Sequence, residues 1–170
     1  MEKSLAGAKE DIYFHLLQRY NLNTKFSIMK IPTILVICTG NSCRSQMAEG
    51  YLKFFQKKMN LKINIYSAGV RAEGVNTKAI AVMANDNIDI SMQTSNKIDD
   101  YLNDDISHVI TVCDHAHENC PIFPKKTHFT HKNFKDPSKV IGDNNIIQKA
   151  FYDCREEIKY FAEEYLKNNF

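Results

Sequence analysis

The chain reads as an α/β protein built on a parallel sheet covered by helices on both faces. Apolar runs near 33–38, 63–67 and 108–113, with a short fourth candidate near 126–130, have the length and continuity of buried parallel strands. They alternate with helix-patterned segments near 45–58, 76–86 and 97–103, the order that a parallel sheet with crossover helices requires. At 170 residues the chain has the size of a single domain with a proper core.

The first strand, Thr33-Ile34-Leu35-Val36-Ile37, delivers Cys38 to its carboxyl end, where open α/β sheets bind ligands. Thr39, Gly40, Asn41, Ser42 and Cys43 follow, all small or turn-tolerant, so the backbone can curl with its N–H groups inward as an anion-binding nest closed by Arg44. Arginine supplies planar, bidentate donors suited to a tetrahedral oxyanion. Gln46, Met47, Ala48, Glu49, Tyr51, Leu52, Phe54 and Phe55 then carry an apolar stripe, so the loop feeds a helix N-terminus that also favours an anion. The same field, with a hydrogen bond from Ser45, favours the thiolate form of Cys38. The ordinary alternative for a cysteine ending a buried strand is a small core residue.

A second buried run, Val109-Ile110-Thr111-Val112, ends on Cys113, and Cys120 follows seven residues later. Residues 114–119 read as a marginal helix, too short to be stable alone, whose unwinding could bring Cys113 and Cys120 together. Cys113, His115, His117 and Cys120 are also residue types that bind zinc, but residues two apart point to different sides of a helix and the paired-cysteine knuckle is missing. Burial of both cysteines as structural residues is a further alternative. At Phe134-Lys135-Asp136-Pro137, proline holds the preceding residue extended and so presents the Asp136 carboxyl on a loop. Gly142-Asp143-Asn144-Asn145 reads as an ordinary turn. Phe151, Cys154, Ile158, Phe161 and Tyr165 then mark a long amphipathic helix with Cys154 in its core stripe.

Cys38-x5-Arg44-Ser45 near the start of an α/β domain resembles the low-molecular-weight protein tyrosine phosphatase superfamily. The fuller string, Cys38-Thr39-Gly40-Asn41-Ser42-Cys43-Arg44-Ser45-Gln46-Met47-Ala48-Glu49-Gly50, is similar to its arsenate reductase branch. The likeness covers about residues 32–168 and implies a four-stranded, flavodoxin-like three-layer sandwich. It implies a relay of three thiols, Cys38, Cys113 and Cys120, with thioredoxin as reductant, although another thiol carrier such as glutaredoxin serves the same chemistry. It also implies that Asp136 is the general acid. Tyrosine phosphatases place an aromatic pair directly after the Asp-Pro; here Ser138 and Lys139 follow, which favours a small inorganic oxyanion.

Two departures from the reductase pattern stand out. His131-Lys132 replaces an expected His-Trp, and the chain has no tryptophan. Some relatives bind potassium through positions matching Asn41, Glu49, Ser67 and an acidic residue; Asn96, after Thr94-Ser95, occupies the acidic position here. No tightly bound cofactor is otherwise implied. A phosphomonoesterase using Cys38, Arg44 and Asp136 alone, or a non-catalytic redox or anion sensor, would carry the same loop.

With 22 basic and 20 acidic residues the net charge is +2, so no field for nucleic acid is indicated. Five cysteines without a signal peptide pattern point to a reducing, cytoplasmic setting, and no apolar run is long enough to span a membrane. The chain is expected to act as a monomer. Residues 1–30 precede the resemblance as an extension, helical or poorly ordered, in which Ile12, Leu16, Leu17 and Tyr20 fit one apolar helix face. Glu10, Asp11 and the single Arg19 argue against a transit peptide. Met29 stands just before the start of the likeness, so the extension is expected to be dispensable to the catalytic domain at 31–170.

Overall fold

A computed structural model describes residues 30–124 and 126–170. The chain divides into two units, Met1–Lys30 and Ile31–Phe170; the helix expected around Ile12 to Tyr20 lies outside the described residues.

Four parallel strands form one sheet: β1 (Thr33–Cys38), β2 (Asn64–Gly69), β3 (His108–Thr111) and β4 (His128–His131), in the order β2-β1-β3-β4. Every residue of β1 is buried, because it is flanked by β2 and β3 and covered by helices. The continuous Ile34-Leu35-Val36-Ile37 run is the signature of a strand with both faces dry. Since β1 pairs on one side with β2 and on the other with β3, the connections diverge at its carboxyl end, and a crevice opens there.

Four α-helices accompany the sheet: α1 (Arg44–Lys58), α2 (Thr77–Ala84), α3 (Asp114–Glu118) and α4 (Asn144–Asn169). Helix α1 buries Met47, Ala48, Tyr51, Leu52 and Phe55 and packs against α4; its last turn carries Lys57 and Lys58, the charge that a helix C-terminus favours. Asn60 then takes a left-handed backbone conformation, φ 53°, and turns the chain toward β2. In α2 the Asn76 side chain accepts from the N–H groups of Lys78 and Ala79, a standard N-cap.

The strands and helices expected from the sequence are present, with three differences. The 97–103 segment forms only a 3-10 turn at Ile98–Tyr101, pinned where Asp100 accepts from the Lys97 N–H and Gly69 bridges Lys97. The β3 ladder stops at Thr111, two residues before Cys113, which is extended (φ −156°) and caps α3. The 142–145 turn is not an ordinary loop: Asp143 accepts from the Ile146 N–H and starts the 26-residue α4 at Asn144. Turn-forming residues serve equally as helix caps, and the cap satisfies one of the orphan donors of the first turn. Cys154 lies in the buried stripe of α4, as its spacing predicted.

Candidate active site

The loop between β1 and α1 is held in shape by one buried side chain. Asn41 has a left-handed φ of 44° and is completely buried. Its Nδ2 donates to Ser45 Oγ at 3.0 Å and to Ser67 Oγ at 2.8 Å, and its Oδ1 accepts from the Asn96 N–H at 2.7 Å. Gln46 Nε2 braces the same turn from α1, donating to the carbonyls of Asn41 (3.0 Å) and Thr94 (2.9 Å). Gly69, at the end of β2, allows the closest approach: a Cβ there would lie 2.6 Å from the Asn41 nitrogen and collide with the Arg71 carbonyl.

Cys38 receives the benefit of this framework. Ser45 Oγ, already accepting from Asn41, sits 2.8 Å from Cys38 Sγ, within reach for its hydroxyl to donate to the sulfur, while the Asn41 N–H donates to it at 3.1 Å. Two fixed donors on one sulfur are the partners a thiolate nucleophile needs. The Ser45 contact expected from the sequence is therefore present, and Asn41 is the residue behind it.

Arg44 projects from the first turn of α1 across the crevice. Its Nη2 is 2.6 Å from Asp136 Oδ2 and its Nη1 donates to the Phe134 carbonyl at 3.0 Å. Asp136 is extended (φ −73°, ψ 107°), as a residue before proline should be, and its Oδ1 accepts from the N–H and hydroxyl of Ser138. Cys38, Thr39, Gly40, Ser42, Cys43, Arg44 and Asp136 line one cleft of about 540 Å³.

Cys113 shares that cleft. Its Sγ lies 3.3 Å from Thr39 Oγ1, placing a second buried thiol against the loop that holds Cys38. Cys120, beyond the end of α3, is half-buried, and burial pushes its thiol up from the ordinary value. All five cysteines are free thiols. Burial pushes Cys43 strongly up, with Cys154 adding to the effect, and pushes Cys154 itself up to about 12. Both remain protonated at neutral pH and behave as core, although Cys43 also lines the cleft.

No cluster of three or more metal-ligating side chains occurs among the described residues. His115 Nδ1 faces Thr39 Oγ1 at 3.5 Å, whereas His117 faces Thr111 and stacks on His131, so the zinc alternative fails on geometry. The potassium positions also do not fit a cation. Lys53 Nζ sits 2.5 Å from Glu49 Oε1, Ser67 Oγ accepts a hydrogen bond from Asn41 Nδ2, and the Asn96 side chain donates to Thr94 Oγ1 and Tyr101. An ammonium and amide donors thus occupy the oxygens that a cation would use.

Asp114, Asn133, Arg71 and Glu73 on the cleft rim were not anticipated. Asp114 accepts from Asn133 Nδ2 at 2.6 Å across 19 residues, and no local spacing marks such a pair.

The model of the low molecular weight phosphotyrosine protein phosphatase family matches residues 33–168. The chain belongs to this family. An arsenate reductase 2 of Staphylococcus haemolyticus is 48% identical over 137 residues, covering 81% of this chain and 98% of the relative. An arsenate reductase of Bacillus licheniformis is 42% identical over 139 residues, covering 79% and 98%. Among solved structures, an arsenate reductase in the phosphate-binding state is 30% identical with a TM-score of 0.59, covering 81% of this chain and 98% of that one. The low molecular weight protein tyrosine phosphatase of T. tengcongensis, 20% identical, superposes with a TM-score of 0.69 over 81% and 99%, which supports the flavodoxin-like α/β fold. Among the described residues of this family member, no helix is long and apolar enough to cross a membrane.

Proposed function

We propose that this chain reduces arsenate to arsenite by a relay of three thiols. The observation that carries the reading is the second buried thiol, Cys113, 3.3 Å from Thr39 of the loop that holds Cys38. The relatives named arsenate reductase, at 42% and 48% identity over nearly their whole length, support the same substrate.

Arsenate enters the 39–45 loop, and its oxygens take the Arg44 donors in exchange for Asp136. Cys38 thiolate attacks arsenic, and Asp136 gives a proton to the departing hydroxyl, which leaves as water. Cys113 thiolate then attacks Cys38 sulfur; the sulfur–arsenic bond breaks with its electron pair on arsenic, which leaves as arsenite. The resulting Cys38–Cys113 disulfide passes to Cys113–Cys120 by exchange, and thioredoxin reduces it.

NADPH consumption with arsenate, thioredoxin and thioredoxin reductase tests the proposal. Multiple turnovers are expected in the wild type and none in Cys113→Ser or Cys120→Ser. A phosphomonoesterase is the second reading, favoured by the fact that Cys38, Arg44 and Asp136 assemble without any contribution from Cys113. Release of phosphate from an aryl ester that survives both substitutions, with no arsenate-dependent oxidation, would replace the first reading with the second.

The extension at 1–30 is proposed to be dispensable. A chain starting at Met29 should fold and turn over as the full chain does, and loss of either property would refute this.

A further inference from the structure

Helix α3 stands between the two thiols that the relay must join. Cys113 is its N-cap residue and Cys120 follows its C-cap Asn119. Seven residues of helical path rise about 10 Å at 1.5 Å each. A disulfide needs the two Cα atoms about 4.4–6.8 Å apart. The Cys113–Cys120 bond therefore requires α3 to open.

Five residues are too few to hold a helix on their own. What holds this one lies outside it. Asp114 Oδ2 accepts from Asn133 Nδ2 at 2.6 Å, and His131 Nε2 donates to Asp114 Oδ1 at 3.2 Å. Both partners come from the carboxyl end of β4, one in the strand and one just beyond it. His117, nearly one turn along α3, stacks on the His131 ring with centroids 4.3 Å apart, and Thr111 Oγ1 lies 2.8 Å from His131 Nδ1.

We propose that Asp114 is a latch: through Asn133 and His131 it fastens α3 to β4, keeps Cys113 and Cys120 apart, and sets how readily their disulfide forms. This rests on the three-thiol reading. In the exchange it governs, Cys120 thiolate attacks Cys113 sulfur, the Cys113–Cys120 bond forms, and Cys38 leaves as thiolate with the electron pair of the broken bond. The oxidant is the Cys38–Cys113 disulfide, and the Cys120 proton goes to solvent. Asp114 and Asn133 touch no reacting atom in this step and are positioning residues.

The test uses the full chain with Cys38→Ser, which removes the arsenate chemistry, equilibrated in defined mixtures of reduced and oxidised glutathione. The Cys113–Cys120 disulfide is counted by mass after alkylation. Asn133→Ala is expected to raise the equilibrium constant for closure about two- to fivefold, the range for losing one exposed charge-assisted hydrogen bond. Asn133→Asp, which sets a second carboxylate against Asp114, is expected to raise it further at similar side-chain volume. Adding Asn133→Ala to Asp114→Ala should change nothing more.

An unchanged constant in both Asn133 variants overturns the latch, even if Asp114→Ala shifts it, since the carboxylate would then act only on the helix end. A disulfide that forms in no variant, including the Cys38→Ser parent, overturns the relay itself and the latch with it. The two failures are thereby told apart.

Discussion

Arg44 Nη2 and Asp136 Oδ2 are 2.6 Å apart, a bond that joins residues 92 positions distant across the mouth of the cleft. The carboxylate holds the guanidinium that an incoming oxyanion must engage. Asp136 therefore competes with an anion for Arg44, and on the proposed mechanism it also supplies the proton that turnover needs. Asp136→Ala is expected to tighten phosphate binding severalfold, because a competing charge is removed, and to slow arsenate turnover by at least about 100-fold, the usual contribution of a positioned acid. Equilibrium dialysis beside steady-state kinetics checks both; a variant that bound phosphate more weakly would show that Asp136 supports the anion rather than competing with it.

Asn41 carries the loop, and the two things it does can be separated by substitution. Asn41→Ala removes three side-chain hydrogen bonds from a fully buried position and leaves an L-residue with a Cβ at φ 44°. Asn41→Gly loses the same bonds but accepts that backbone freely. Losses of about 3–5 kcal/mol for alanine and roughly 1 kcal/mol less for glycine are expected in urea unfolding. Equal losses would show that the backbone conformation is unstrained.

Much of this site was legible because its parts are contiguous. Cys38 to Ser45 form one unbroken string at the end of an apolar run, and Asp136 is marked by the proline beside it. The Asp114–Asn133 pair was not, because it depends on β3 and β4 lying parallel with Thr111 opposite His131, a register that neither strand's composition dictates. Local ambiguity hid Asp143 for a different reason: Gly142-Asp143-Asn144-Asn145 suits a turn as well as a cap, and only the Ile146 N–H decides between them. The helical pair Glu49–Lys53 has the favourable i,i+4 spacing and could have been read directly, which would have weakened the potassium site from the start.

Cys43 and Cys154 make folding sensitive to alkali. Burial raises both thiols above their ordinary value of 9.0, Cys154 to about 12. The folded chain therefore keeps protons that the unfolded chain releases. Their contribution is complete below pH 9 and is lost as pH rises toward 12, at about 1.4 kcal/mol per unit for each thiol. Tyr51 and Tyr165, raised mainly by burial from 10.0, act in the same direction at higher pH. Urea midpoints for wild type and Cys154→Val at pH 8 and 10 provide the check, and the valine variant is expected to lose less over that interval. An identical loss in the two proteins would mean that Cys154 ionises in the folded state as freely as in the unfolded chain.

The Lys53 ammonium, 2.5 Å from Glu49 Oε1, stands among the positions that the resemblance implies for potassium and is expected to make the ion unnecessary. Glu49 is the acidic member of that set retained here, its carboxylate is nearly buried, and the Lys53 ammonium neutralises it from the next turn of α1. Turnover should be the same in potassium chloride and tetramethylammonium chloride at equal ionic strength. Replacing Lys53 with methionine strands the Glu49 charge, and adding Asn96→Asp supplies a second carboxylate where the amide now donates to Thr94. In that double variant, thermal stability and turnover are both expected to rise with added potassium, since a cation can then meet two carboxylates. If wild-type turnover rises with potassium, the ammonium is not a substitute; if the double variant ignores potassium, the pocket lacks the shape for a cation whatever its charge.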